Sequence, residues 1–214
     1  MTSDDDFRDL FRHSMLAITA GALAVVICYF FIDRPVAFFV YRHEIASVQE
    51  FRWLTEPPPL VQSWAPLVLV MLAVRRAFGE WRPWQRVLFT ACVSLIVADQ
   101  FRQSLGDLCG RYWPETWHNN NPSLIGTGAY GFHPFEVGDD VGSFPSGHAA
   151  RIAGFFGVFW FGLPRWRVAY VLLAVPMLVA MVAMDYHFVG DVVAGSVLGA
   201  VVGIWAARLA GVDA

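Results

Sequence analysis

Polar and apolar residues segregate into long blocks along this chain. After an acidic leader containing Asp4, Asp5, Asp6 and Asp9, residues 14–32 are almost wholly apolar. Comparable runs follow at 60–74, 87–101, 149–163, 168–184 and 192–207. These predict six helical spans, several shorter than the ~20 residues that cross ~30 Å of hydrocarbon. Their flanks are rich in Trp, which suits a membrane–water interface. Carboxylates precede the first run and no cleavage site follows it, so it is read as a permanent helix rather than a removable leader. With no fixed-period repeat or linker, residues 1–214 are read as a single domain, an all-α bundle of six transmembrane helices.

Composition agrees with that pattern. The chain is 57% hydrophobic and 15% charged, with a mean hydropathy of +0.48, whereas soluble domains carry roughly 25% charged residues. A water-soluble globule is excluded. All fifteen basic residues are Arg, so an anion can be held by charge only through guanidinium. The net charge of -3 and the lack of a basic run interleaved with aromatics argue against nucleic acid. Cys28, Cys92 and Cys109 are scattered and are read as buried hydrophobes. Dividing the arginines among the six spans puts nine on the side of the termini (8, 12, 75, 76, 82, 86, 165, 167, 208) and five opposite (34, 42, 52, 102, 111). Positive-inside bias then places both termini in the cytoplasm and the 104–144 loop, with the starts of spans four and six, outside.

Two polar clusters stand at those outer helix ends, Pro145-Ser146-Gly147-His148 and His187-x-x-x-Asp191. Pro-Ser-Gly before an apolar helix supplies a turn, a hydroxyl and free backbone N–H groups, a ready site for an anion. With a helix beginning near Tyr186, the four-residue spacing puts Asp191 on the face of His187, where a carboxylate can hold one imidazole nitrogen protonated and leave the other free to attack. Two histidines facing one anion suit a phosphoryl transfer in which one attacks phosphorus and the other protonates the leaving oxygen.

In these residues the sequence resembles the type 2 phosphatidic acid phosphatase and vanadium haloperoxidase superfamily. That family carries Lys, six residues, Arg-Pro; then Pro-Ser-Gly-His; then Ser-Arg, five residues, His, three residues, Asp. The second motif is intact at Pro145 to His148, and His187 and Asp191 match the third. The resemblance implies a phosphohistidine at His187, Asp191 as its orienting partner, His148 as general acid, and Ser146 and Gly147 against phosphate oxygens. Ala180-Met181 stands in place of Ser-Arg, and Gly110-Arg111-Tyr112-Trp113-Pro114 looks like the Gly-Arg-x-Arg-Pro form of motif one with Trp113 for its second Arg; with Arg111 taken as the motif Arg instead, Ser104 stands at the Lys position. No alignment restores the Lys. Arg102, Arg111 and Arg151 are the cations left near the site. Arg151, three residues after His148, must face a polar cavity, because a charge in hydrocarbon costs about 2.5–3.5 kcal/mol. It is expected to replace the missing motif-three Arg, with Asp99 and Asp107 balancing arginines nearby.

The expected protein is a metal-free phosphohydrolase of lipid phosphates or pyrophosphates in a bacterial inner membrane, needing no cofactor and acting at the outer face. Phosphatidic acid, phosphatidylglycerol phosphate and undecaprenyl pyrophosphate are equal candidates. Phosphotransfer to an alcohol, a non-catalytic lipid-phosphate carrier, and, more distantly, vanadate-dependent halide oxidation are the alternatives. The 114–144 loop is either a lid or a surface layer. Its His118, His133, Glu115, Glu136, Asp139 and Asp140 lack the tight spacing of a metal site. Gly195, Gly199 and Gly203 form a small-residue stripe for helix packing within the bundle or across a homo-oligomer.

Overall fold

The computed structural model describes residues 4–117, 120–136 and 141–212, and these residues are helical with only isolated β-bridges. The helices are α1 (Asp4–Ile27), α2 (Asp33–Arg42), α3 (Gln49–Thr55), α4 (Pro57–Ala77), α5 (Pro83–Cys109), the single turn α6 (Leu124–Thr127), α7 (Gly147–Gly162), α8 (Arg167–Ala183) and α9 (Val189–Leu209). Prolines open α4 and α5, where a missing N–H costs nothing. Gly110, in the left-handed region at φ 51°, closes α5.

By length and apolar composition, four stretches of the described residues suffice to cross a membrane: Asp5–Arg42, Gln49–Ala77, Pro164–Ala183 and Val189–Leu209. The predicted first span stops at Ile32, but the helix continues. A π turn over Cys28–Ile32 joins α1 to α2. Its extra residue re-aims the face that follows, and Asp33, with 1% of its surface exposed, points into the bundle. There it meets Arg111 and the Gly190 N–H, so its charge is satisfied inside the bundle.

The centre of the bundle is the pair α7 and α9, flanked by α5 and α1. The glycine stripe lies within this pair. A Cβ on Gly199 would collide with the Ala150 carbonyl oxygen, and one on Gly203 would stand 2.8 Å from the Gly154 carbonyl oxygen. Ser94 of α5 donates to that same Gly154 carbonyl at 2.9 Å. Large apolar side chains such as Phe31, Val168 and Leu172 are two-thirds exposed or more, as an outer surface bathed in lipid requires. Cys28 and Cys92 are buried, and Cys109 is half-buried; all three are free.

Candidate active site

Chain entry into α7 and α9 builds the site. Ser146 caps α7, its Oγ accepting from the Ala149 N–H at 3.3 Å, and its own N–H donates to the Asp191 carbonyl at 3.0 Å. The starts of the two helices are thereby tied together, and His148 and His187 face the same cavity. Their ring centroids are 6.2 Å apart. The cavity, about 380 Å³, is lined by Arg102, Trp113, Trp117, Asn121, Gly147, His148, Arg151, Tyr186 and His187.

His187 is held through Nδ1, which lies 2.9 Å from the Ser143 carbonyl. A carbonyl only accepts, so Nδ1 carries the proton and Nε2 presents its lone pair. This contact differs from the expected one. Asp191 Oδ2 is 3.8 Å from Nδ1, beyond hydrogen-bond reach, and accepts instead from Ser143 Oγ and, at 2.9 Å, from the Phe188 N–H. Asp191 acts on the imidazole by charge and through the Ser143 segment.

Of the three expected cations, the structure brings two to the cavity. Arg102 lies against Gly147, where a Cβ would stand 2.9 Å from its Nε, so the glycine of Pro-Ser-Gly is what lets a guanidinium approach this closely. Arg151 is fixed by Asp99, with Nη2 2.8 Å from Oδ1. Gln62 of α4 and Gln103 hold the other Asp99 oxygen at 2.6 and 3.1 Å. The Nε–H groups of Arg102 and Arg151 are both buried without a hydrogen-bond partner.

Arg111 is the correction. Its guanidinium does not line the cavity but bridges Asp191 and Asp33, 2.7 Å from the latter, inside a cage of Tyr29, Tyr130, Phe132 and Phe188 rings. Burial opposes its charge, yet the two carboxylates outweigh burial and hold its pKa above the ordinary value. Ser146 is likewise fully buried as a cap, while Gly147 reaches the cavity. Asp33, Ser143 and the aromatic lining escaped sequence reasoning; an isolated carboxylate at the end of an apolar run was the one available signal. Among the described residues, no three His, Cys, Asp or Glu side chains gather as metal ligands; His118, Asp139 and Asp140 lie outside them.

Residues 60–212 match the family described as the PAP2 superfamily. The chain belongs to the PAP2 superfamily. This PAP2 protein is 31% identical over 114 residues to a lipid A 1-phosphatase of Rhizobium johnstonii, covering 53% of this chain and 42% of that one. It is 32% identical over 113 residues to a lipid A 1-phosphatase of Rhizobium etli, covering 52% and 44%. The matched part is therefore less than half the length of these relatives. No solved structure matches the chain.

Proposed function

We propose that this PAP2 protein is a phosphohydrolase of a membrane lipid phosphate, working through a phosphohistidine. The observation that carries the reading is the convergence of two imidazoles and the side chains of Arg102 and Arg151 on one cavity. Nε2 of His187 attacks phosphorus, and the bond from phosphorus to the lipid oxygen breaks. His148 gives that oxygen its proton. Water then attacks the phosphohistidine, His148 takes the water's proton, and the P–N bond breaks to release inorganic phosphate. Arg102 and Arg151 stabilise charge on the equatorial oxygens, and Arg151 stands in for the arginine absent at Met181. The negative charge of the bound phosphate favours the protonated form of His148, which then serves as the acid.

The names of the two relatives favour a lipid A-type phosphate. The chain works as one unit with six spans, α5 and α7 crossing beside the four longer or more apolar stretches. Both termini face the cytoplasm of a bacterial inner membrane and the cavity faces outward, an orientation that the arginine distribution supports. No metal is needed, because charge stabilisation and the nucleophile are both supplied by side chains.

The test is phosphate release from lipid phosphates by detergent-purified protein in chelator. His187→Asn abolishes both release and trapping of labelled phosphate on the protein, and full activity in this variant would end the proposal. Arg151→Ala lowers kcat by roughly 10²–10³, the usual cost of removing one oxyanion donor.

A further inference from the structure

An acid is held next to the cationic part of the cavity. Asp99 lies in the second half of α5 with 3% of its surface exposed, and a carboxylate is almost never enclosed to that degree without partners. Its partners come from three helices. Gln62 of α4 and Gln103, one turn along α5, donate to Oδ2 at 2.6 and 3.1 Å. Oδ1 accepts no hydrogen bond among the described residues and faces Arg151 of α7 by charge, with Nη2 2.8 Å away. The two amides fix one oxygen and leave the other to the guanidinium.

Arg151 needs such a holder. Where the third motif has Arg, this chain has Met181, which is fully enclosed in an apolar cluster with Ala149 and Val192. The cation is carried on α7 instead. An arginine has a long, flexible stem, and its charge can extend toward any polar exit. It accelerates phosphoryl transfer only if the guanidinium already stands where charge develops. Arg151 lines the cavity and Asp99 does not. The direct effect of Asp99 on a bound phosphate would be repulsion, so any benefit it brings to the reaction must pass through the arginine.

We propose that Asp99, oriented by Gln62 and Gln103, is a positioning residue for Arg151, and that the pair, not the arginine alone, replaces the missing motif-three Arg. This rests on the phosphohydrolase reading above and gives α4, through Gln62, a part in the site. The bond broken and the proton path are unchanged. It also goes beyond charge balance, the role expected of Asp99 from sequence, and the two roles predict opposite results.

The experiment measures phosphate release by the purified full-length chain from an acylated glucosamine 1-phosphate and a diacylglycerol phosphate, using the faster of the two, together with inhibition by inorganic phosphate. A charge that merely balanced the arginines would repel phosphate, so its removal in Asp99→Asn would tighten inhibition and leave kcat intact. Positioning gives the reverse. Asp99→Asn lowers kcat by about tenfold while KM changes less, and Gln62→Met, which keeps the chain length but removes the donor, lowers kcat by about threefold. In an Arg151→Ala background either substitution changes kcat by less than about twofold, because the group through which both act is gone. Losses that multiply in the double variants, a loss confined to KM, or tighter phosphate inhibition with kcat intact overturns the positioning role and leaves the phosphohydrolase standing. If Asp99→Asn or Arg151→Ala fails to fold, seen as aggregation on size exclusion, Gln62→Met decides by the kcat it loses or keeps. A wild type that releases phosphate from neither lipid overturns the phosphohydrolase reading itself, and the positioning role with it.

Discussion

Asp185 shows how far burial alone can move a single group. It stands two residues before His187, in the left-handed region at φ 49°, with 2% of its surface exposed. Burial, and then the negative charge of Glu115, push its carboxyl up to about 8. An unfolded Asp titrates near ~3.9. Between those values the folded protein holds a proton that the unfolded chain has released. The stability this contributes is therefore fully present below about pH 4 and is lost as pH rises toward 8. Asn tolerates the left-handed region and carries no charge. Asp185→Asn should flatten the fall in melting temperature between pH 5 and pH 8, measured by thermal unfolding in detergent. A fall as steep as in the wild type would mean that Asp185 is ionised throughout.

At the scale of elements, the site depends on α7 and α9 touching backbone to backbone. Gly195, Gly199 and Gly203 face Ser146, Ala150 and Gly154, with no room for a methyl group at Gly199. Between membrane helices there is little hydrophobic force to regain, so close packing is the adhesive. Gly199→Ala should force the helices apart, lowering thermal stability and phosphatase activity together. Gly79→Ala is the control, because its added methyl meets only the flexible end of the Arg75 side chain. Equal behaviour of the two variants would show that the stripe does not set the spacing. The π turn between α1 and α2 works at the same scale, since it delivers Asp33 to the start of α9.

Across the whole molecule, Arg111 joins parts of the chain that are far apart in sequence. It links Asp33 at the head of α2 to Asp191 in the first turn of α9, from the loop that leaves α5. The same loop runs on to Ser143, which holds both His187 and Asp191. Arg111→Met would strand two buried carboxylates, at a cost of about 3–5 kcal/mol. The expected result is a large loss of resistance to thermal or chemical unfolding, with activity falling because the protein unfolds. A variant of normal stability that has lost only phosphate binding would return Arg111 to the substrate.

Much of this was legible in the residues themselves. Helical spans follow from apolar runs because a backbone in hydrocarbon must satisfy its own hydrogen bonds. Pro145 to His148 and His187 to Asp191 announce their chemistry by residue type and short spacing, although α9 begins only at Val189, so His187 precedes the helix instead of sharing its face with Asp191. Arginine numbers could not reveal partners. Arg102, Arg111 and Arg151 look alike along the chain, yet two reach the cavity and one is enclosed by carboxylates and aromatic rings. Asp33 and Asp191 for Arg111, and Asp99 for Arg151, select those roles from positions distant in sequence, through contacts that exist only once the helices pack. Local pattern determined the class of protein and its candidate reacting groups; the choice of which charge lines the cavity was made by tertiary structure, because a buried ion is defined by whatever neutralises it.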